Sequence, residues 1–132
     1  MLDPSQFELN EAWIAFQLNT EPIGTEQDGQ FDCVALMDAA SCFIYGMAMV
    51  PMGKPEPSKP EFRRLIKKAW KTGKQYPRTL FIPAGRFEDV LPAEAERLGI
   101  AVVRVPDSQL LVFTRDARAG FKEHFSSRRG EE

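Results

Sequence analysis

The chain has 132 residues, with 17 Lys plus Arg against 19 Asp plus Glu, for a formal net charge of −2. That near-neutral sum excludes a uniformly basic nucleic-acid coat, and 43% apolar with 27% charged residues excludes a disordered chain and fits one globular domain. The charge is unevenly placed: residues 1–53 carry eight acids and no Lys or Arg, while residues 54–79 carry nine bases and two acids, a local +7.

Met1–Asn10 has neither a basic flank nor an apolar run, so a cytoplasmic protein is expected rather than a secreted one. No stretch approaches the ~20 apolar residues a membrane helix needs. Cys33 and Cys42 are too few for a disulfide framework and lack metal spacing, so both are read as reduced core residues.

In chain order, Ala12–Leu18 is rich in aromatic and branched residues and predicts a strand. Asn19–Gln30 reads as a hairpin-like loop, Phe31–Asp38 as a second strand, and Cys42–Val50 as a third, with Gly46 at a bulge. Pro51–Pro60 holds four of the ten prolines and predicts an extended connector; Pro57 and Pro60 also fit a Pro-x-x-Pro ligand. Ser58-Lys59-Pro60-Glu61 is a capping-box pattern, with Ser58 as N-cap. Phe62, Leu65, Ile66, Ala69 and Trp70 then define one apolar face of a helix that Gly73 ends. Arg63, Arg64, Lys67, Lys68, Lys71 and Lys74 occupy the rest of it.

Thr79–Ile82 predicts a short buried strand ending at Pro83-Ala84-Gly85. Phe87–Leu98 is helical at least from Pro92, placed at N1. Ile100–Val105 is a near-continuous apolar strand, and Leu110–Phe125 fits a helix toward its C-terminal part, although Leu111–Thr114 alone also suits a strand. One domain over 1–125 is expected, with 126–132 as a disordered tail. The order β-β-β-α-β-α-β-α predicts an α/β mixed sheet with helices on its faces.

That order is the ribonuclease H-like one, and roughly residues 12–125 resemble an integrase or transposase catalytic core. The resemblance rests on Trp13-Ile14-Ala15-Phe16, then Ala35-Leu36-Met37-Asp38-Ala39-Ala40-Ser41, then Phe43-Ile44-Tyr45-Gly46. It continues through Leu80-Phe81-Ile82-Pro83-Ala84-Gly85, Phe87 and Leu98-Gly99-Ile100. Some bacterial domains of unknown function share this frame. Family members hold two divalent cations, Mg or Mn, on acids from separate elements. By resemblance the first acid falls at Phe16 and the second at Pro83, with Ala84 beside it, and neither side chain offers an oxygen ligand. The third falls at Glu123. The resemblance therefore implies a family member without catalysis and without a metal cofactor. The family's habit of pairing through helices and sheet edges also implies a homodimer, and a binding or assembly role implies a protein or nucleic-acid partner.

A second register makes Asp38 the first acid of a metal-dependent nuclease, completed by Asp107, Asp116 or Glu123. The simpler role for Asp38 is to accept backbone N–H bonds in a tight turn. His124 is the only histidine, with no Ser or Cys tied to it in sequence. Glu88, Asp89, Glu94 and Glu96 read as a solvated acidic face near a helix start. The basic helix 59–74 is either a solvated cationic face or a phosphate-neutralising surface, and it lacks aromatic interleaving, because Phe62 and Trp70 belong to the buried face.

Overall fold

Strand β1 (Ala12–Gln17) lies at the centre of a mixed six-stranded sheet. A computed structural model describes residues 2–20, 23–25 and 29–130, without the side chains of 25 and 124–130. β1 pairs antiparallel with β3 (Gly29–Asp38), Trp13 opposite Asp38 and Gln17 opposite Val34. On its other edge it runs parallel to β5 (Thr79–Pro83), which pairs in parallel with β6 (Ala101–Val105). β4 (Ile44–Pro51) closes the far edge of β3. A strand not read from the sequence, β2 (Ile23–Thr25), lies inside the expected loop and pairs with residues 29–31 of β3, beyond the end of β1.

Helices connect the parallel strands, as parallel pairing requires. α1 (Lys59–Gly73) and α2 (Val90–Arg97) cover one face, and α3 (Asp107–Gly130) covers the other. The period of two along each strand decides which residue meets which helix. Trp13, Ala15, Leu36, Leu80 and Ile82 pack under Phe62, Leu65, Ile66 and Leu91. Ile14, Phe16, Ala35, Met37 and Phe81 pack under Leu110 and Phe113, with Phe7 of the N-terminal segment set 5.7 Å from the Phe81 ring. The central strands are buried on both faces, so they read as continuous apolar runs in sequence.

Several local expectations hold. Ser58 Oγ accepts from the Glu61 N–H at 3.4 Å, and the β3–β4 register slips beside Gly46 so that Tyr45 is the extra residue. Others are corrected. Glu61 pairs with Arg64 at 3.1 Å, so its carboxylate is engaged along the helix. Gly73 is the last helical residue, and Lys74 takes the left-handed position at φ 59°. A Cβ on Gly73 would collide with the Asn10 amide, so close packing is what requires glycine there.

Trp70 is 37% exposed: the buried stripe of α1 is Phe62, Leu65, Ile66 and Ala69, and Trp70 stands at its rim. α2 begins at Val90, which puts Pro92 in its third position, still among the N–H groups without intrahelical partners. Its N-terminus is capped from the connector. Glu56 is buried and accepts from the N–H groups of Asp89 and Leu91, both at 2.9 Å, while the Asp89 side chain makes no cap. Pro57 is buried with it, which leaves no free Pro-x-x-Pro ligand. α3 forms from Asp107, so Leu111–Thr114 is helical, and its backbone is helical through Gly130, further than the sequence predicts. Residues 131–132 of the expected tail lie outside the described residues.

Candidate functional site

The carboxyl ends of β1 and β5 are adjacent parallel strand ends, the usual place for a site in an α/β sheet. Phe16 is wholly buried there, and Pro83 is buried at the end of β5. A cavity of about 390 Å³ opens at this junction, lined by Gln17, Asn19, Thr20, Arg86, Asp107 and Arg118 among others. The Arg118 guanidinium sits 5.6 Å above the Phe16 ring, and its Nε donates to the Gln17 carbonyl at 3.0 Å. Arg86 Nη2 donates to Gln17 Oε1 at 2.6 Å, and its guanidinium lies 5.1 Å from the Phe87 ring. Phe87 has φ 53°, a left-handed backbone that a bulky residue rarely adopts. Arg104 holds that turn, donating to the carbonyls of Arg86 at 2.7 Å and Phe87 at 3.1 Å.

This donor set does not fit a divalent cation. The resemblance expects carboxylates here; the cavity presents two guanidiniums and, among the described residues, one carboxylate, Asp107, 3.6 Å from Arg118. Among the described residues no three His, Cys, Asp or Glu side chains gather as a metal group.

The acids of the second register are placed apart. Asp38 accepts from the N–H of Asn10 and of Ser41, each at 2.9 Å, and from the Ser41 hydroxyl at 2.6 Å, which is the turn role with an added anchor to Asn10. Asp38 and Asp116 do approach one group in common: burial pushes the Cys42 thiol up, and both carboxylates push it the same way. Asp107 and Asp116 are nine residues apart on α3, about 13 Å along its axis at ~1.5 Å per residue. Glu123 is exposed a further seven residues on. The His124 side chain lies outside the described residues. Beside Asp38, burial and then the Asp38 charge push the Tyr45 hydroxyl up to about 12, and that hydroxyl donates to Asn10 Oδ1.

The basic helix meets a second cavity of about 390 Å³, between α1 and α2, with Ile66, Leu98, Trp70 and Tyr76 as its apolar lining. Tyr76 is 43% exposed, so an aromatic pair does stand among the cations, against the expectation from sequence. Glu94 corrects a second expectation. Its side chain is only 4% exposed and sits between Arg63 at 2.8 Å and Arg97 at 3.1 Å, with Lys59 at 4.0 Å. The Arg63 hydrogen bond holds the Glu94 carboxyl below the usual glutamate value, and the same bond raises Arg63. Arg64 donates to the Met47 carbonyl at 3.0 Å and to Glu61. Among the described residues no carboxylate pairs with Lys67, Lys68, Lys71 or Lys74, and Lys74 lies 5.2 Å over the Trp70 ring.

Sequence reasoning passed over Gln17, Arg86, Arg104 and Arg118. Only the fold brings Arg86 and Arg118 to the two oxygens of one glutamine, and no spacing announces it.

No family model matches the chain, and no curated protein matches it. Among solved structures it is similar to a chain of the simian T-cell lymphotropic virus intasome in complex with PP2A regulatory subunit B56 gamma. The identity is 12%, with a TM-score of 0.56 over 96% of this chain and 43% of that one. The chain thus spans less than half the length of that intasome component. The HTLV-2 integrase catalytic core domain in complex with magnesium, a dimeric form, aligns at 10% identity and a TM-score of 0.45, over 83% of this chain and 82% of that chain. The likeness is one of fold: a mixed α/β sheet of the ribonuclease H-like, integrase-core type. Among the described residues no helix is long and apolar enough to cross a membrane.

Proposed function

We propose that this chain is a ribonuclease H-like domain that serves binding or assembly and does not carry the family's two-metal phosphodiester chemistry. One observation carries the reading. At the end of β1, where the resemblance puts the first metal-binding acid, Phe16 is 0% exposed under the Arg118 guanidinium. A cation placed there would meet a ring and a positive charge in place of carboxylate oxygens. The test adds magnesium or manganese to the purified protein. The expected result is no specific rise in melting temperature and no cleavage of DNA or RNA; a saturable upshift with cleavage overturns the proposal.

A second reading makes α1 a sequence-blind nucleic-acid surface. Trp70 at the rim favours it, because an exposed ring beside Lys67, Lys71 and Lys74 offers both stacking and phosphate neutralisation. Retention on single-stranded DNA that falls with salt and is lost in a Lys67→Glu, Lys71→Glu variant supports it. Retention unchanged in that variant contradicts it. For assembly into a homodimer, edge strand β4 supplies a surface: Met47 and Met49 are 45% and 53% exposed.

A further inference from the structure

We infer that the cavity at the carboxyl ends of β1 and β5 binds the phosphate group of a small phosphorylated molecule, between the guanidiniums of Arg86 and Arg118. This goes beyond the proposed function by naming a ligand chemistry, and it needs neither a metal nor the α1 surface.

The two cations converge because Gln17 holds both. Its side-chain oxygen accepts from Arg86 and its main-chain oxygen accepts from Arg118. Neither bond neutralises a charge, since both acceptors are carbonyl oxygens. Each guanidinium also lies near an aromatic ring, Phe87 for Arg86 and Phe16 for Arg118, which orients its plane without using its donors. A guanidinium carries five N–H donors, so most of Arg86's stay available after its bond to Gln17. The Arg118 side chain is 18% exposed, and Arg104 locks the backbone turn that presents Arg86. The arrangement is therefore built before a ligand arrives, and pre-ordered arginine pairs are suited to a phosphate dianion.

Among the described residues, Asp107 is the one carboxylate on the cavity, leaving an excess of positive charge. At about 390 Å³ the space exceeds what a bare phosphate fills and falls within the range of small-molecule pockets. Thr20 puts a hydroxyl on its wall, suited to the hydroxyls of a sugar phosphate, while the Asn19 amide is committed to Asp32 and to the Cys33 N–H.

The experiment is calorimetric titration of the whole chain, without divalent cations, at constant ionic strength. Inorganic phosphate, ribose 5-phosphate and chloride are the separate probes. The expected result is saturable binding of both phosphates, ribose 5-phosphate at least tenfold tighter, and none for chloride. Arg86→Gln, at an exposed side chain, is expected to weaken both at least tenfold with melting temperature unchanged, and Arg118→Gln to do the same where it folds. Phosphate heats matching chloride, or Arg86→Gln binding at parental affinity, overturn the inference; equal affinity for the two phosphates overturns its small-molecule part. Metal-dependent cleavage of nucleic acid overturns the proposed function and leaves this site standing.

Discussion

Two cavities among the described residues are equal in size and each flanked by arginines, and they treat those arginines in opposite ways. Between α1 and α2, Arg63 and Arg97 close on the buried carboxylate of Glu94, so their charge is answered within the fold. At the strand ends, Arg86 and Arg118 rest on the neutral oxygens of Gln17 and on aromatic rings, and among the described residues only Arg118 has a carboxylate partner, the exposed Asp107 at 3.6 Å. A count of cations does not separate the two; the acceptor does. Charge already answered holds helices together, and charge held by carbonyls stays ready for an external anion.

The sharpest way to break this contrast is to restore an acid beneath Arg118. Phe16→Asp removes a fully buried ring from the α3-side core, an expected loss of at least ~4 kcal/mol that Arg118 offsets only in part. Urea denaturation reads it, and a near-parental midpoint would mean the strand-end cavity is a metal site in waiting. Asp38→Ala removes the acceptor for Asn10 and Ser41 and is expected to cost about 2–3 kcal/mol in the same assay. If it instead abolishes a nuclease activity while stability holds, the turn role is wrong.

Glu56→Ala uncaps α2, with an expected loss of about 1–2 kcal/mol that sharpens the α1–α2 side alone and leaves phosphate binding intact. Glu94 supplies a pH test. Its folded carboxyl is held below the ordinary value of 4.5, so its contribution is present above that value and is lost as pH falls through the lower folded one. Thermal melts of Glu94→Gln between pH 6 and pH 3, values chosen as roughly bracketing that window, are expected to lose less stability on acidification than the parent. The smallest effect is expected from Lys67→Glu, within ~0.5 kcal/mol, because that lysine has no carboxylate partner among the described residues to lose.

What the sequence made legible was local or periodic. Four of the five stripe residues of α1, the Ser58 cap and the bulge beside Gly46 depend on neighbours a few residues away, and these appear as read. The doubly buried β1, β3 and β5 announce themselves as apolar runs. Trp70 escapes the buried stripe because it is the eighth residue after Phe62, at the stripe's edge, and it stays 37% exposed. Glu94 looked solvated because its strongest partner, Arg63, lies 31 residues away on another helix. The arginine pair on Gln17 was illegible for the same reason, with Arg118 lying 101 residues from its acceptor. Long-range polar pairing has no periodicity, so it becomes visible only after the strands are laid side by side.

Glu56 ties α2 to a connector that precedes α1 in the chain. The Leu91 amide that it receives is 35 residues away, so α2 cannot keep a capped first turn once the proline segment lifts off. The connector, α1 and α2 should therefore open as one cooperative unit. In native-state hydrogen exchange, the Leu91 amide is expected to share its opening free energy with the amides of α1, and Glu56→Ala to uncouple them.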